Sequence, residues 1–167
     1  MAERVFIAVG SNLGDRARNC LKAIGLIEEN SGRVRLVRKS PFYETEPWGL
    51  TEQPPFVNAV IEVATGLEPR PLLAFLKGIE EEMGREGAAR WGPRRIDLDI
   101  IFFGRRVLRE RGLVIPHPRM NERAFVLVPL ADIAPGFIHP VFKKTVTAMK
   151  GALKDTGSVK RLAGQNN

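Results

Sequence analysis

Phe56-Val57-Asn58-Ala59-Val60-Ile61-Glu62-Val63-Ala64-Thr65 is the stretch on which the fold turns. It alternates and is rich in β-branched residues, so it reads as a strand. What precedes it matters as much. Thr45 to Pro55 (TEPWGLTEQPP) holds three prolines, which deny donors to a ladder. It therefore reads as a connection, and its length makes it a candidate functional loop. Before that loop, Val34 and Leu36 begin another strand that runs toward Phe42. Two strands in succession interrupt any simple alternation of strand and helix.

Outward on both sides the pattern is symmetrical. Arg4 to Val9 (RVFIAV) reads as a first strand. Ser11 to Asp15 is turn chemistry, with Asp15 placed to cap a helix that carries Leu21, Ile24 and Ile27 and stops at Ser31-Gly32. Downstream, Pro69 to Met83 is a helix with Leu72, Leu76 and Ile79 on its apolar face, ended by Gly84. A second loop, Arg85 to Pro93, leads to a fourth strand at Arg94 to Phe103 (RRIDLDIIFF). A small hairpin over Val107 to Val114 and short helices over Asn121 to Asp132 and Val141 to Lys154 follow. The order β-α-β-β-α-β predicts an α+β fold with a ferredoxin-like core, a mainly antiparallel sheet with helices packed on one face. With 167 residues, the prior is a single domain over 1–167, and the basic tail over 155–167 reads as solvated and frayed.

Composition narrows the function. Hydrophobic residues are 44% and charged residues 27%, which argues against disorder. A single cysteine, Cys20, excludes an internal disulfide and a cysteine-rich zinc site. With no secretory signal and no bilayer-length apolar run, the expectation is a cytoplasmic protein without a membrane partner. The net charge is +7, and Arg85 to Arg123 holds ten arginines, no lysine and five acids. Guanidinium forks suit phosphate, so a phosphate-bearing ligand near this stretch is one reading; a basic face that aids solubility is the other. No P-loop, protein-kinase signature set or G-x-S-x-G occurs.

Asp97-Leu98-Asp99 is the centre of the chemistry. On a strand the two acids share one face, about 7 Å apart at Cα, while Ile96, Leu98 and Ile100 face the other. They can lean onto one cation or a pair, or they are simply acids on a wet face. Arg90, Trp91, Arg94 and Arg95 just upstream favour a metal–phosphate complex, with carboxylates for the ion and forks for the remaining oxygens. His117, between Pro116 and Pro118 and followed by Arg123, serves either a phosphate or packing; His139 reads as structural. Phe56, Trp48 and Phe125 suit either a flat substrate or core packing, the latter favoured for Phe102 and Phe75, and Asn58 shares the face of Phe56, where an amide can bond a heterocycle edge.

Arg90-Trp91-Gly92-Pro93-Arg94-Arg95-Ile96-Asp97-Leu98-Asp99 closely resembles the signature of the 6-hydroxymethyl-7,8-dihydropterin pyrophosphokinases. Gly10-Ser11-Asn12-Leu13-Gly14, Phe42-Tyr43-Glu44-Thr45, Gln53-Pro54 with Phe56 and Asn58, and Val114 to Pro118 with Met120 and Arg123 resemble the family too. Together they cover Val5 to about Pro140. The resemblance implies transfer of pyrophosphate from ATP to the hydroxymethyl group of a reduced pterin in folate biosynthesis, giving AMP. It implies two Mg2+ ions on Asp97 and Asp99, and Arg85 and Arg94 for transition-state charge. It implies a pterin site from Thr45, Glu46, Trp48, Phe56, Asn58, Trp91 and Phe125. ATP would meet Lys77, Glu80, Arg94, Ile100, His117 and Arg123. A monomer without nucleic-acid partners is expected. Gly112 and Pro118 depart from the family's common residues. The competing readings are an RNA-binding module on the same fold and a metal-dependent phosphohydrolase using Asp97, Asp99 and His117.

Overall fold

A computed structural model describes residues 2–45, 55–84, 95–154, 156 and 158–163. The first strand, β1 (Glu3–Ser11), is central, and α1 (Arg16–Glu28) follows it. Asp15 caps this helix by accepting the Arg18 N–H at 3.3 Å. Then come β2 (Val34–Lys39), β3 (Tyr43–Thr45) and β4 (Phe56–Thr65). α2 (Pro69–Glu82) leads to β5 (Asp97–Phe103), and the hairpin β6 (Leu108–Glu110) and β7 (Leu113–Ile115) comes next. A 3-10 turn at Met120–Glu122 precedes α3 (Ala124–Ile133), α4 (Val146–Gly151) and β8 (Lys160–Arg161).

The main sheet runs β5-β1-β4-β3-β8, with β2 also on β4, and every pairing is antiparallel. In both β-α-β units the linked strands are separated by one antiparallel strand, as the element order predicts. The expected single second strand is two, β2 and β3, which pair with opposite ends of β4. Pro41 lacks an N–H, and Ser40 instead takes over the junction: its Oγ accepts the Val60 N–H at 2.9 Å.

Three further expectations are corrected. Helices cover both faces of the sheet, not one. Val5, Ile7, Val9, Ile61, Leu98 and Ile100 form a core with α1 and α2, while Phe6, Val60 and Phe102 form a second core with α3 and α4. Over its described residues 158–163 the tail is not simply frayed. Lys160 and Arg161 pair with β3, and the Leu162 N–H donates to the Phe42 carbonyl at 2.8 Å. The fourth strand begins at Asp97, with Arg95 and Ile96, expected within it, lying before it. No described helix is long and apolar enough to cross a membrane.

Candidate active site

The two aspartates lie where strand alternation demands. Leu98 is 1% exposed in the first core, whereas Asp97 is half-buried and Asp99 exposed on the other face. The register then decides what stands beside them. Asp97 pairs with Gly10, and Gly10 pairs with Asn58, so Asp97, Gly10, Asn58 and Tyr43 form one row across four strands. Phe56 and Thr45, themselves cross-strand partners, lie beyond that row on the same face.

Gly10 is essential to the shape of this row. A Cβ there would stand 2.8 Å from Asn58 Oδ1 and 3.7 Å from the Phe56 ring. The glycine leaves space into which the Asn58 amide leans. On its other side Asn58 Nδ2 donates to Thr45 Oγ1 at 2.7 Å, which ties the amide from β4 to β3. Two interstrand spacings, about 10 Å, separate Asn58 from Asp97 at Cα. Gly10 enters the sequence reading only within the Gly10–Gly14 run; a glycine inside a strand is the signal that reveals its role.

Asp99 faces a different neighbourhood. The His117 N–H donates to the Ile101 carbonyl at 3.0 Å, which docks the segment after the cis Ile115–Pro116 bond on β5. His117 Nδ1 accepts the Arg119 N–H at 3.2 Å, so the neutral ring carries its proton on Nε2 as a donor. Burial lowers its pKa below the ordinary histidine value; Asp99 opposes this, while Arg123 and Arg119 reinforce it. Arg123 is lowered by burial too, again against Asp99, yet stays charged as guanidinium groups do. Its guanidinium lies 5.5 Å from the centre of the Phe125 ring. Asp99, His117 and Arg123 are thus one electrostatic unit, with Arg119 a member that sequence analysis missed.

Glu80 and Lys77 hold the scaffold. Glu80 is 2% exposed, and its Oε2 accepts the N–H of Leu98, the residue between the two acids, at 2.8 Å. Lys77 pairs with it at 3.3 Å. The buried carboxylate therefore clamps α2 to β5. Because Leu98 turns its N–H away from β1, the two-residue period puts the backbone groups of Ile100 on the same outer edge, where no described strand pairs. The Ile100 side chain is only 5% exposed in the core, so its backbone is what it offers a ligand. Glu46, Trp48, Arg85, Arg90, Trp91 and Arg94 lie outside the described residues. Elsewhere, burial pushes the Cys20 thiol up to about 12, which makes it inert. Tyr43 is also raised to about 12, by burial and by its hydrogen bond to Asp132 on α3. His139 is structural: its Nδ1 accepts the N–H groups of Val141 and Phe142, both at 3.1 Å.

Comparison with known proteins points in one direction. The family model described as 7,8-dihydro-6-hydroxymethylpterin-pyrophosphokinase matches residues 6–135. The chain is 39% identical over 146 residues to the 2-amino-4-hydroxy-6-hydroxymethyldihydropteridine pyrophosphokinase of Aquifex aeolicus, covering 87% of this chain and 89% of that one. It is 45% identical over 139 residues to the folic acid synthesis protein of Pneumocystis carinii, covering 83% of this chain but only 18% of that longer protein. A Plasmodium falciparum HPPK-DHPS crystal structure aligns with a TM-score of 0.71 at 16% identity, over 90% of this chain and 44% of that one. At that identity the structural match speaks for the fold alone.

Proposed function

The chain belongs to the 7,8-dihydro-6-hydroxymethylpterin-pyrophosphokinase family, and from that premise we propose that it transfers pyrophosphate from ATP to 6-hydroxymethyl-7,8-dihydropterin in folate biosynthesis. One observation carries the reading. The acid pair of β5 stands between two unlike ends, with Asp97 in the row of Gly10 and Asn58 and Asp99 in the field of His117 and Arg123. An amide and aromatic end suits a flat heterocycle. A cationic end suits a polyphosphate.

The pterin hydroxyl oxygen attacks the β-phosphorus. As that bond forms, the bond from the β-phosphorus to the oxygen bridging the α-phosphate breaks. That oxygen leaves with AMP, and the hydroxyl proton is released. Such a transfer asks the protein for alignment and charge neutralisation rather than a covalent intermediate.

Asp97 and Asp99 would hold two Mg2+ ions. The donor chemistry suits this: the two carboxylates alternate with Leu98 onto one face of β5, and magnesium takes one or two carboxylates with phosphate oxygens and water. When bound, the ions would offset phosphate charge and orient the attacking and leaving oxygens. Arg123 and neutral His117 donate to the ATP phosphates or nucleoside, with Arg85 and Arg94 assigned to transition-state charge. Asn58, Thr45 and Phe56 take the pterin, with Phe125, Glu46, Trp48 and Trp91 completing its site. Lys77, Glu80 and Ile100 support the nucleotide end. The working form is a cytoplasmic monomer on a ferredoxin-like core.

The test is to mix the chain with ATP, Mg2+ and 6-hydroxymethyl-7,8-dihydropterin. AMP and the pterin diphosphate are expected in equal amounts. ADP as the product, or phosphate released without the pterin, overturns the reading.

A further inference from the structure

Arg16, the first residue of α1, ties together two parts of the chain distant in sequence. Its Nη1 donates to the Pro55 carbonyl at 2.7 Å, and its Nη2 pairs with Glu44 Oε2 at 2.9 Å. Glu44 adjoins Thr45, and Pro55 adjoins Phe56. Thr45 and Phe56 are the final pair of the β3–β4 ladder. The guanidinium therefore straps this end of the ladder from the α1 side, while Thr45 and Phe56 serve the opposite face.

The strap sits where the ladder is short. β3 is three residues long, and its outer neighbour β8 pairs only with Tyr43 and Glu44. Among the described residues Phe56 is the one cross-strand partner of Thr45, whose hydroxyl holds the Asn58 amide. Helix stability does not explain the residue choice, since a cation in the first turn opposes the helix dipole. A planar fork does explain it. One group reaches a backbone carbonyl and a carboxylate at once, each by a charge-assisted bond, and a lysine lacks that geometry.

We propose that Arg16 is a positioning residue: through Glu44 and Pro55 it fixes Thr45, Phe56 and Asn58 for the pterin without touching it. The proposal rests on the pyrophosphokinase reading and adds a residue to its pterin site.

The experiment compares the full-length wild type with Arg16→Ala, Arg16→Lys, Glu44→Gln and the double variant Arg16→Ala/Glu44→Gln. It reads KM for the pterin, KM for ATP, kcat, pterin binding by fluorescence titration, and melting temperature. Arg16→Ala should raise the pterin KM and dissociation constant about tenfold, the scale of one charge-assisted bond, with the ATP KM unchanged. Arg16→Lys should recover part of this. Adding Glu44→Gln to Arg16→Ala should cost less than Glu44→Gln costs alone, because the partner is already gone. A pterin KM for Arg16→Ala within about twofold of an active wild type overturns the proposal alone. So does a proportionate rise in both KM values together with a lowered melting temperature, the mark of a merely structural tie. A wild type that neither binds the pterin nor releases AMP overturns the function and the proposal together.

Discussion

Phe6 and Gly10 point from the same strand to the same face, yet their surroundings are opposite. Phe6 is fully buried, 6.2 Å from Phe102 and 5.0 Å from Phe137 in edge-on contacts, under α3 and α4. Gly10 has no side chain, and its row holds Asn58 and Asp97. One end of the face is a dry core that anchors helices; the other is polar and shaped around a missing side chain. The sheet face is therefore divided along the strands, not between them. Each of β1, β4 and β5 contributes apolar residues to the first end and site residues to the second. Rigidity for the site then comes from the packed end of the same strands.

The largest expected effect breaks the polar end. Asp97→Ala or Asp99→Ala should lower AMP production about a thousandfold or more, the scale of losing a metal-held phosphate. The urea midpoint should stay near wild type, because Asp99 is exposed and Asp97 half-buried. Near-normal turnover in either variant would remove the acids from the chemistry. Leu98→Ala tests the reverse side of the same strand. It should cost about 3 kcal/mol of stability by urea titration, with both KM values kept in the folded fraction. Selective loss of ATP affinity at unchanged stability would show that the two sides of β5 are not separable.

Gly10→Ala probes the cradle. Its new methyl would meet Asn58 Oδ1 at 2.8 Å, so the amide must move. The pterin KM should rise about tenfold while the ATP KM holds. An unchanged pterin KM would mean that the position of Asn58 does not matter. The smallest effect lies at the packed end. His139 is 3% exposed, and burial lowers its pKa. The unfolded chain takes up a proton near pH 6.5 before the native chain does. Stability should therefore be full above that value and be lost as pH falls through it toward the lowered native value. His139→Gln should flatten this part of a urea-midpoint profile; an unchanged slope would assign it to other groups.

Much of this was legible in local pattern. Strand alternation put Leu98 in the core and Asp97 and Asp99 opposite it, and the Asp15 cap and the Gly84 stop bounded their helices. The signature around Asp97 and Asp99 carried the function. Other features depend on which distant segments meet. Nothing near residue 160 says that Lys160 and Arg161 will extend the sheet beside β3. Nothing near Arg16 says that Glu44 and Pro55 will lie within reach.

Local pattern sufficed for the β-α-β-β-α-β order of the core, the faces of its strands and the types of group available for phosphate and heterocycle. Those follow from backbone geometry repeating every two or 3.6 residues, which any short window reveals. The cover of helices on both faces, the place of Gly10 between Asn58 and Asp97, and the link from Arg16 to Glu44 and Pro55 emerge only in the folded chain. Cross-strand register and helix docking are set by contacts between residues far apart in the chain. Their energies are shared by many side chains at once rather than written at any one position.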